Sequence, residues 1–469
     1  MMKRLLFTIV VFHLALQAKS EIWLPSILSD NMVLQQNSNA TIWGWSTQTT
    51  EKITVTGSWN NKPVETTVNQ GKWSVELPTP SYGGPFTVSI KGHQEIVLKN
   101  ILIGEVWLCS GQSNMQWSAN NGFDNAEEEV KAANYPNIRF FSVPRHNSET
   151  LQDNTPGEWS VCTPESMRSF SAVGYFFGRE LLEELGVPIG LINSSWGGTP
   201  VEIWSPLGLV DKPELLNDAA EHIAENQWYS KTPGSAYNAM INPLVPFDIA
   251  GYLWYQGESN RQNADFYYET FPMMINAWRK AWGNADLPFY YVQIAPFDYN
   301  NNDLEDLEPA VVRDAQLKTM QKVANTGMVV TNDIGNLKNI HPGNKQEVGR
   351  RLALWALAKT YGVEHIEPSG PVFSSMEVDN KKIIVHFDHA EGGLLAKGKD
   401  VLEFYIAGED RKFYPAKAKI EGSQVVLSSK EVKAPVAVRF AFSDIALPNL
   451  FNQDGLPASA FRTDDWELK

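Results

Sequence analysis

Short apolar runs alternate with amphipathic helical patterns between residues 101 and 364, and this alternation restricts the fold more than any other feature of the chain. Helical spacing is clear where Val173, Phe176, Phe177, Leu181 and Leu185 recur every three or four residues. Alternating strands and helices predict an α/β fold, with a mainly parallel sheet and helices on both faces. The predicted strands are 106–109, 138–143, 190–193, 250–255, 290–294 and 328–331, and the predicted helices are 172–185, 265–282, 311–323 and 345–361.

β-rich runs separated by turns flank this α/β region on both sides. They lie at 41–45, 52–58, 73–77 and 86–90 before it, and at 372–378, 382–387, 401–406 and 437–442 after it. The stretch EPSGP at residues 367–371 is typical of a linker. We therefore predict β-sandwich-like domains over residues 21–100 and 365–469 around a central domain over 101–364, with a C-terminal tail that returns to the core.

The first 20 residues have the pattern of a secretory signal peptide. Lys3 and Arg4 precede an apolar stretch over residues 5–18 that is too short to span a membrane. Small residues at Ala18 and Ser20 predict cleavage after Ser20. The sequence thus predicts an exported protein, periplasmic or extracellular, whose mature chain has no membrane span.

The charge balance argues against polyanionic partners. Loss of the signal peptide removes Lys3, Arg4 and Lys19 and no acidic residue, so the net charge moves from −15 to −18. Such a chain repels nucleic acid and anionic membranes at long range. The two cysteines, Cys109 and Cys162, either pair in an oxidising compartment or remain buried thiols. Nothing in their spacing suggests zinc, and we expect no cofactor.

One strand of the predicted sheet ends directly before a serine. Residues 104–117 read GEVWLCSGQSNMQW, where an apolar run stops at Gly111 and Ser113 follows. Ligands of open α/β sheets bind at the carboxyl ends of the strands. A serine at that edge is either an ordinary turn residue or, if a base reaches it, a nucleophile.

Three other strand ends carry residues suited to the same chemistry. The paired glycines Gly197 and Gly198 allow close approach of the backbone to a ligand, and the amide of Gln256 offers a hydrogen-bond donor. Among the eight histidines, His341 lies on a loop that leaves the carboxyl edge of the sheet. A nucleophile, oxyanion donors and a base are what ester hydrolysis by serine requires.

Several motifs resemble those of the SGNH/GDSL hydrolase superfamily, and within it the sialate O-acetylesterase-like carbohydrate esterases. GQSNM at 111–115 is similar to the nucleophile block, WYQGESN at 254–260 to the third block, and IHP at 340–342 with Asn344 and Lys345 to the histidine block. The entry at 24–36 and the ending at 456–466 are also similar. The resemblance covers nearly the whole mature chain.

This resemblance implies a flavodoxin-like core and metal-free hydrolysis. By position, Ser113 is the nucleophile and His341 the base, and the N–H groups of Ser113 and Gly198 and the side chain of Gln256 form the oxyanion hole. The family often has an aspartate two or three residues before the histidine, where this chain has Lys338 and Asn339. Asn339 or Asp333 could orient the imidazole instead, or the site could be a Ser–His dyad.

The implied substrate is an acetylated mono-, oligo- or polysaccharide, from sialic acid to xylan. We expect Asn114, Trp196 and Glu258 to line its pocket, and tryptophans near the motifs offer flat faces for sugar rings. A sialate substrate would favour an arginine in the pocket, for which Arg261 and Arg313 are candidates. Two alternatives stay open, a weakly active or non-catalytic glycan-binding protein and a short-chain lipid esterase. The oligomeric state is not predicted.

Overall fold

The computed structural model describes residues 21–299 and 307–468, so the predicted signal peptide lies outside the described residues. The first eight strands build two small layers. β1, β3 and β6 form one sheet, while β4, β5 and β7 extend a second sheet through β8. The bounds are β1 (Ile22–Trp23), β2 (Val33–Gln35), β3 (Asn39–Ser46), β4 (Lys52–Gly57), β5 (Pro63–Thr67), β6 (Lys72–Pro78), β7 (Gly83–Lys91) and β8 (Glu95–Gly111).

The long strand β8 belongs to both the N-terminal and the central layers. Its first part pairs with β7 and β2, and its last part, from Glu105 to Gly111, lies between two parallel neighbours. The predicted domain boundary near residue 100 therefore falls inside one continuous strand. The N-terminal strands and the central sheet share a backbone hydrogen-bond network.

The central sheet is mixed, with a parallel core. Its remaining strands are β9 (Tyr135–Ser142), β10 (Trp159–Cys162), β11 (Ile189–Ser195), β12 (Gly251–Tyr255), β13 (Phe289–Val292) and β14 (Thr326–Val329). They are ordered β10-β9-β11-β8-β12-β13-β14, and β10 is antiparallel to β9 while the others run parallel. Each predicted central strand is present, with ends shifted by at most a few residues except at β8, which begins at Glu95 rather than at Val106. β10 was not predicted.

Helices cover both faces of this sheet, as the alternating pattern predicts. Successive side chains of a strand point to opposite faces, so Leu108 lies in one buried cluster and Trp107 and Cys109 lie in the other. The helices are α1 (Ser113–Gln116), α2 (Ala126–Ala132), α3 (Pro164–Ser169), α4 (Ala172–Leu185), α5 (Pro213–Glu221), α6 (Ala264–Ala281), α7 (Glu308–Lys322) and α8 (Lys345–Trp355). The predicted helix over 345–361 continues beyond α8 as a π-helical turn, Ala356–Thr360.

The C-terminal part consists of small antiparallel sheets. Its strands are β15 (Val372–Asp379), β16 (Lys382–Asp388), β17 (Leu394–Ala396), β18 (Phe404–Ala407), β19 (Phe413–Pro415), β20 (Lys417–Glu421), β21 (Gln424–Ser428), β22 (Ala437–Phe440), β23 (Leu450–Asn452) and β24 (Phe461–Arg462). The tail contacts the central region. Asn332 Nδ2 donates to the Ala458 carbonyl at 3.0 Å, and Arg462 lies 3.5 Å from the Asp314 carboxylate.

Both cysteines are free thiols in the core. Cys109 lies on β8 and Cys162 at the end of β10, and both side chains are fully buried. Of the two alternatives for these residues, the structure has the buried thiols. No helix within residues 21–299 and 307–468 has the length and apolarity that crossing a bilayer requires.

Candidate active site

Ser113 lies directly after the carboxyl end of β8, at the first residue of α1. Gly111 makes this turn possible, because its φ is +130° and a Cβ there would lie 2.3 Å from the Tyr255 carbonyl oxygen. The Gln112 N–H donates to that same carbonyl at 2.9 Å, and the Trp196 N–H donates to the Gly111 carbonyl at 2.9 Å. The loop is thus fixed to the neighbouring strands on both sides.

His341 reaches Ser113 from the loop between β14 and α8. Its Nε2 lies 2.8 Å from the Ser113 Oγ, within the reach of a nucleophile–base pair. Asn344 caps α8 by accepting a hydrogen bond from the Glu347 N–H at 3.0 Å, so the loop ends in a defined helix start. Residues 228 positions apart in the sequence are therefore in direct contact.

The imidazole of His341 is half-buried and stacks on Trp117. The two ring centroids are 3.9 Å apart, and the ring planes differ by 17°. Burial and, to a smaller extent, the nearby charge of Lys345 together lower the pKa of His341 to about 4. At neutral pH the ring is uncharged and can accept a proton from the serine.

The Gly-Gly turn, Gly197 and Gly198, lies beside Ser113. A Cβ added to Gly197 would lie 3.2 Å from the Ser113 Cβ. The Gly197 N–H donates to the Gln116 side chain at 3.0 Å, whereas the Gly198 N–H has no hydrogen-bond acceptor among the described residues. Gly198 has a φ of +78°, which favours glycine. Of the two glycines, Gly198 has the N–H that is available to a ligand.

The side chain of Gln256 is used differently from its predicted role as an oxyanion donor. Its Nε2 donates to the Thr199 carbonyl at 3.1 Å and to the Asn260 Oδ1 at 2.7 Å, so both hydrogens are engaged. The Asn260 amide in turn binds the buried carboxylate of Glu202 at 2.9 and 3.1 Å. This hydrogen-bond network supports the segment that follows Gly198, and both Nε2 hydrogens of Gln256 are used within it.

A second buried hydrogen-bond network links the three motif blocks. Asn114 Nδ2 donates to the Glu258 carboxylate at 2.7 Å and to the Ile340 carbonyl at 3.0 Å, and Lys345 Nζ donates to the Asn114 Oδ1 at 2.5 Å. Burial raises the pKa of Glu258 and lowers that of Lys345 to about 7. Asn114 and Glu258, predicted to line the substrate pocket, are instead buried and hydrogen-bonded within this network.

The two residues proposed to orient the imidazole make other contacts. Both oxygens of Asp333 bind the Arg351 guanidinium, at 2.7 and 2.8 Å. Asn339 Oδ1 accepts from the backbone N–H of His341 at 2.9 Å. Within the described ranges, no side chain or carbonyl accepts from Nδ1 of the His341 ring. The contact that the described residues do make is between the Ser113 Oγ and the His341 Nε2.

Trp196 directly precedes the Gly-Gly turn and is mostly buried. Trp196 is 6% exposed, and its ring contacts Tyr229 edge-on at a centroid distance of 6.2 Å. Only a small exposed edge of its ring could therefore take the predicted role in the pocket.

Glu202 and the stack of Trp117 on His341 were missed by sequence reasoning, since no local pattern shows which ring or carboxylate a loop will contact. No cluster of three or more His, Cys, Asp or Glu side chains suited to a metal occurs in the described part of the chain.

Comparisons with known proteins agree on one family. The sequence profile of the carbohydrate esterases described as sialic acid-specific acetylesterases matches residues 103–358. A sialate O-acetylesterase of Pongo abelii is 31% identical over 460 residues, covering 89% of this chain and 87% of the relative. The human sialate O-acetylesterase is 33% identical over 391 residues, covering 75% of this chain and 74% of the relative.

A solved structure extends the likeness to the fold. A carbohydrate acetylesterase from Xanthomonas citri superposes with a TM-score of 0.86 at 39% identity, covering 95% of this chain and all of that chain. The profile spans more than half of the chain and includes both Ser113 and His341. The chain is a carboxylic ester hydrolase that belongs to the carbohydrate esterase family of sialic acid-specific acetylesterases.

Proposed function

We propose that Ser113 is the nucleophile and His341 the general base of a carbohydrate O-acetylesterase that acts through an acyl-enzyme. The observation that carries this proposal is the 2.8 Å contact between the Ser113 Oγ and the His341 Nε2 at the carboxyl edge of the sheet. A histidine with its pKa lowered to about 4 is neutral over the whole physiological range and accepts the serine proton.

The reaction proceeds in two halves. In the first, His341 takes the Ser113 proton as Oγ bonds to the acetyl carbonyl carbon, and the carbonyl electron pair moves onto its oxygen. When this intermediate collapses, the bond to the sugar oxygen breaks and that oxygen takes the proton from His341. In the second half, water attacks the acetyl carbonyl carbon while His341 takes a proton from that water. The bond between this carbon and the Ser113 Oγ then breaks, Oγ takes the proton from His341, and acetic acid leaves and ionises in solution.

The negative oxygen of each intermediate requires hydrogen-bond donors that are in place beforehand. The backbone N–H groups of Ser113 and Gly198 supply them. Gln256, Asn260 and Glu202 keep the Gly198 turn in its left-handed conformation. The oxyanion hole therefore depends on a buried amide network as well as on the two donors.

The architecture supports a flavodoxin-like SGNH core. Without the β9–β10 excursion, the parallel strands are ordered β11-β8-β12-β13-β14, which is the order 2-1-3-4-5 of flavodoxin-like sheets. We assign residues 101–364 to this catalytic core, 21–100 and 365–469 to the flanking β parts, and 1–20 to a signal peptide that exports the protein.

The substrate is an acetylated sugar. The relatives named above are sialate O-acetylesterases and a carbohydrate acetylesterase. Trp228 is 72% exposed, and its neighbour Tyr229 packs on Trp196, so an exposed indole lies on a segment beside the oxyanion turn. A flat, exposed aromatic face suits a sugar ring.

Neither candidate arginine identifies the sugar as sialic acid. Arg313 is 2% exposed and donates to the Ser443 carbonyl, so it is closed to a ligand. The Arg261 guanidinium lies over the Tyr299 ring at 4.7 Å and 3.8 Å from the Glu308 carboxylate. The choice between a sialate and a neutral glycan therefore rests on a direct comparison of substrates.

That comparison measures acetate release from O-acetylated sialic acid, acetylated xylooligosaccharides and a small chromogenic acetate. The wild type is tested beside Ser113→Ala, with thermal unfolding as a check of the fold. We expect release that falls by at least about 10³-fold in the variant, since the nucleophile is lost. Binding of the glycans without release, or release that persists in Ser113→Ala, would contradict the proposal.

A further inference from the structure

In the part of the chain that the structure describes, the protonated form of His341 lacks the acidic partner that such a base normally has. Its ring carries a positive charge in each intermediate, and an acidic residue usually stabilises that charge. Here Asp333 binds Arg351, and Asn339 binds the backbone of His341. The indole of Trp117 stacks on the imidazole ring instead, with the ring centroids 3.9 Å apart and the planes nearly parallel.

Trp117 is held in place from three directions. Its indole Nε1 donates to the Gly122 carbonyl at 2.6 Å. Its backbone N–H donates to the Ser113 carbonyl at 2.8 Å, and its own carbonyl accepts from the Ala172 N–H at 2.8 Å. The indole is thereby tied to the nucleophile turn and to the start of α4, so its plane is set before any substrate binds.

The charged groups around His341 do not stabilise its protonated form. Lys345 lowers the pKa of His341, as burial does more strongly. Glu258 and Asp124 both raise the pKa of Lys345 and so partly offset the burial that lowers it to about 7. Asp124 reaches the histidine loop through its backbone, where its N–H donates to the Gly343 carbonyl at 3.1 Å. Formation of the imidazolium is therefore opposed on the side of Lys345.

We propose that Trp117 is the third member of this site, a positioning residue whose indole face holds the imidazole plane toward Ser113 and stabilises its protonated form. The negative face of an aromatic ring attracts a cation within about 6 Å of its centroid, and most strongly for tryptophan. The 3.9 Å stack lies well inside that range. The inference rests on the proposed role of His341 as the base.

The test compares Trp117→Leu, which removes the π-system, with Trp117→Phe, which keeps an aromatic face. Trp23→Leu is the control, because Trp23 is also stacked, on Trp45, but lies 45% exposed in β1. The first readout is the pKa of His341, followed by NMR of the histidine-labelled protein and assigned with His341→Gln. The second is kcat/KM for a small chromogenic acetate as a function of pH.

We expect Trp117→Leu to lower kcat/KM by about 2- to 30-fold and the pKa of His341 by about 0.4 to 1.5 units. Trp117→Phe should recover most of both changes, and Trp23→Leu should alter neither. Trp117→Met serves in place of the leucine variant if that variant does not fold, as judged by thermal unfolding.

Two results would overturn the inference. One is a His341 pKa that stays unchanged in Trp117→Leu. The other is an equal loss of kcat/KM in the leucine and phenylalanine variants without movement of the pKa, which would show a merely structural role. The NMR readout does not require turnover. A wild type that releases no acetate would therefore contradict the proposed function while the effect of Trp117 on His341 remained measurable.

Discussion

The side-chain oxygen of Asn339 lies 2.9 Å from the backbone nitrogen of His341 and accepts its hydrogen. This contact fixes the main chain of the histidine loop and leaves the imidazole ring without a polar orienter. We expect Asn339→Ala to lower kcat/KM by about two- to tenfold, the range for loss of one hydrogen bond. Asn339→Asp should stay close to the wild type, since a carboxylate oxygen can accept the same hydrogen. A tenfold gain in Asn339→Asp would instead show that this position reaches the ring.

The acid limb of the pH profile, where kcat/KM falls as the pH decreases, reports the protonation of His341. Because burial and Lys345 lower the pKa of this ring to about 4, the ring stays neutral, and able to act as a base, far below its usual pKa of 6.5. We therefore expect kcat/KM to fall only as the pH approaches 4, measured with a small acetate in buffers of constant ionic strength. A midpoint near 6.5 would show that the imidazole is more solvated than its position implies.

Lys345 contributes part of that lowering through its charge. Replacing it with an apolar residue, Lys345→Met, removes a cation that disfavours the imidazolium, so the pKa of His341 should rise and the acid limb should move to higher pH. Burial is the larger cause, so the limb should stay below 6.5. The matched control is Lys338→Met, an exposed lysine on the same loop, which should leave the limb in place. An unchanged limb in a folded Lys345→Met would contradict the assignment.

Gln256 acts on the oxyanion turn through Thr199 and Asn260. Gln256→Leu removes both of these hydrogen bonds and the one that Gln256 Oε1 accepts from the Tyr267 hydroxyl at 2.9 Å, and the turn that carries Gly198 loses its support. Small displacements of catalytic groups cost on the order of 10²-fold, so we expect kcat to fall by about that factor with a smaller change in KM. Gln321→Leu, at an amide that contacts the Phe373 carbonyl in the C-terminal part, is the control. A wild-type kcat in Gln256→Leu would show that the turn keeps its conformation without this side chain.

The two cysteines should be silent toward thiol reagents in the native protein. Both are buried, and burial raises the pKa of Cys162 to about 12 and that of Cys109 still further. The thiolate is the reactive form, so an aromatic disulfide reagent should titrate no thiol before unfolding and two afterwards. A protein with no titratable thiol after unfolding would mean that the cysteines had paired.

The regular elements could be predicted because their signals are local. The helix over 172–185 has the predicted bounds, since its apolar spacing ends at Gly186, which takes the left-handed conformation of a helix C-cap. The edge strand β10 was missed because four residues, WSVC, carry no period of their own. Its identity depends on pairing with β9, which lies earlier in the chain.

The position of the site could be predicted from a rule about parallel sheets, but the hydrogen-bond partners of its side chains could not. Strand ends of a parallel sheet meet at one edge, so Ser113, Gly198 and His341 could be gathered from the sequence. Asp333 could not be excluded there, because its partner Arg351 lies 18 residues further along, on α8. Likewise, the amide of Gln256 has its hydrogens engaged by residues that no spacing rule brings near it.

The 17 residues of β8 run without interruption from the N-terminal layers into the nucleophile turn. The strand that pairs with β7 at its beginning is the strand that presents Ser113 at its end. A truncation or domain exchange made near residue 100 would therefore cut the central strand of the sheet rather than a hinge. Engineering that treats residues 21–100 as a removable module should leave an insoluble remainder.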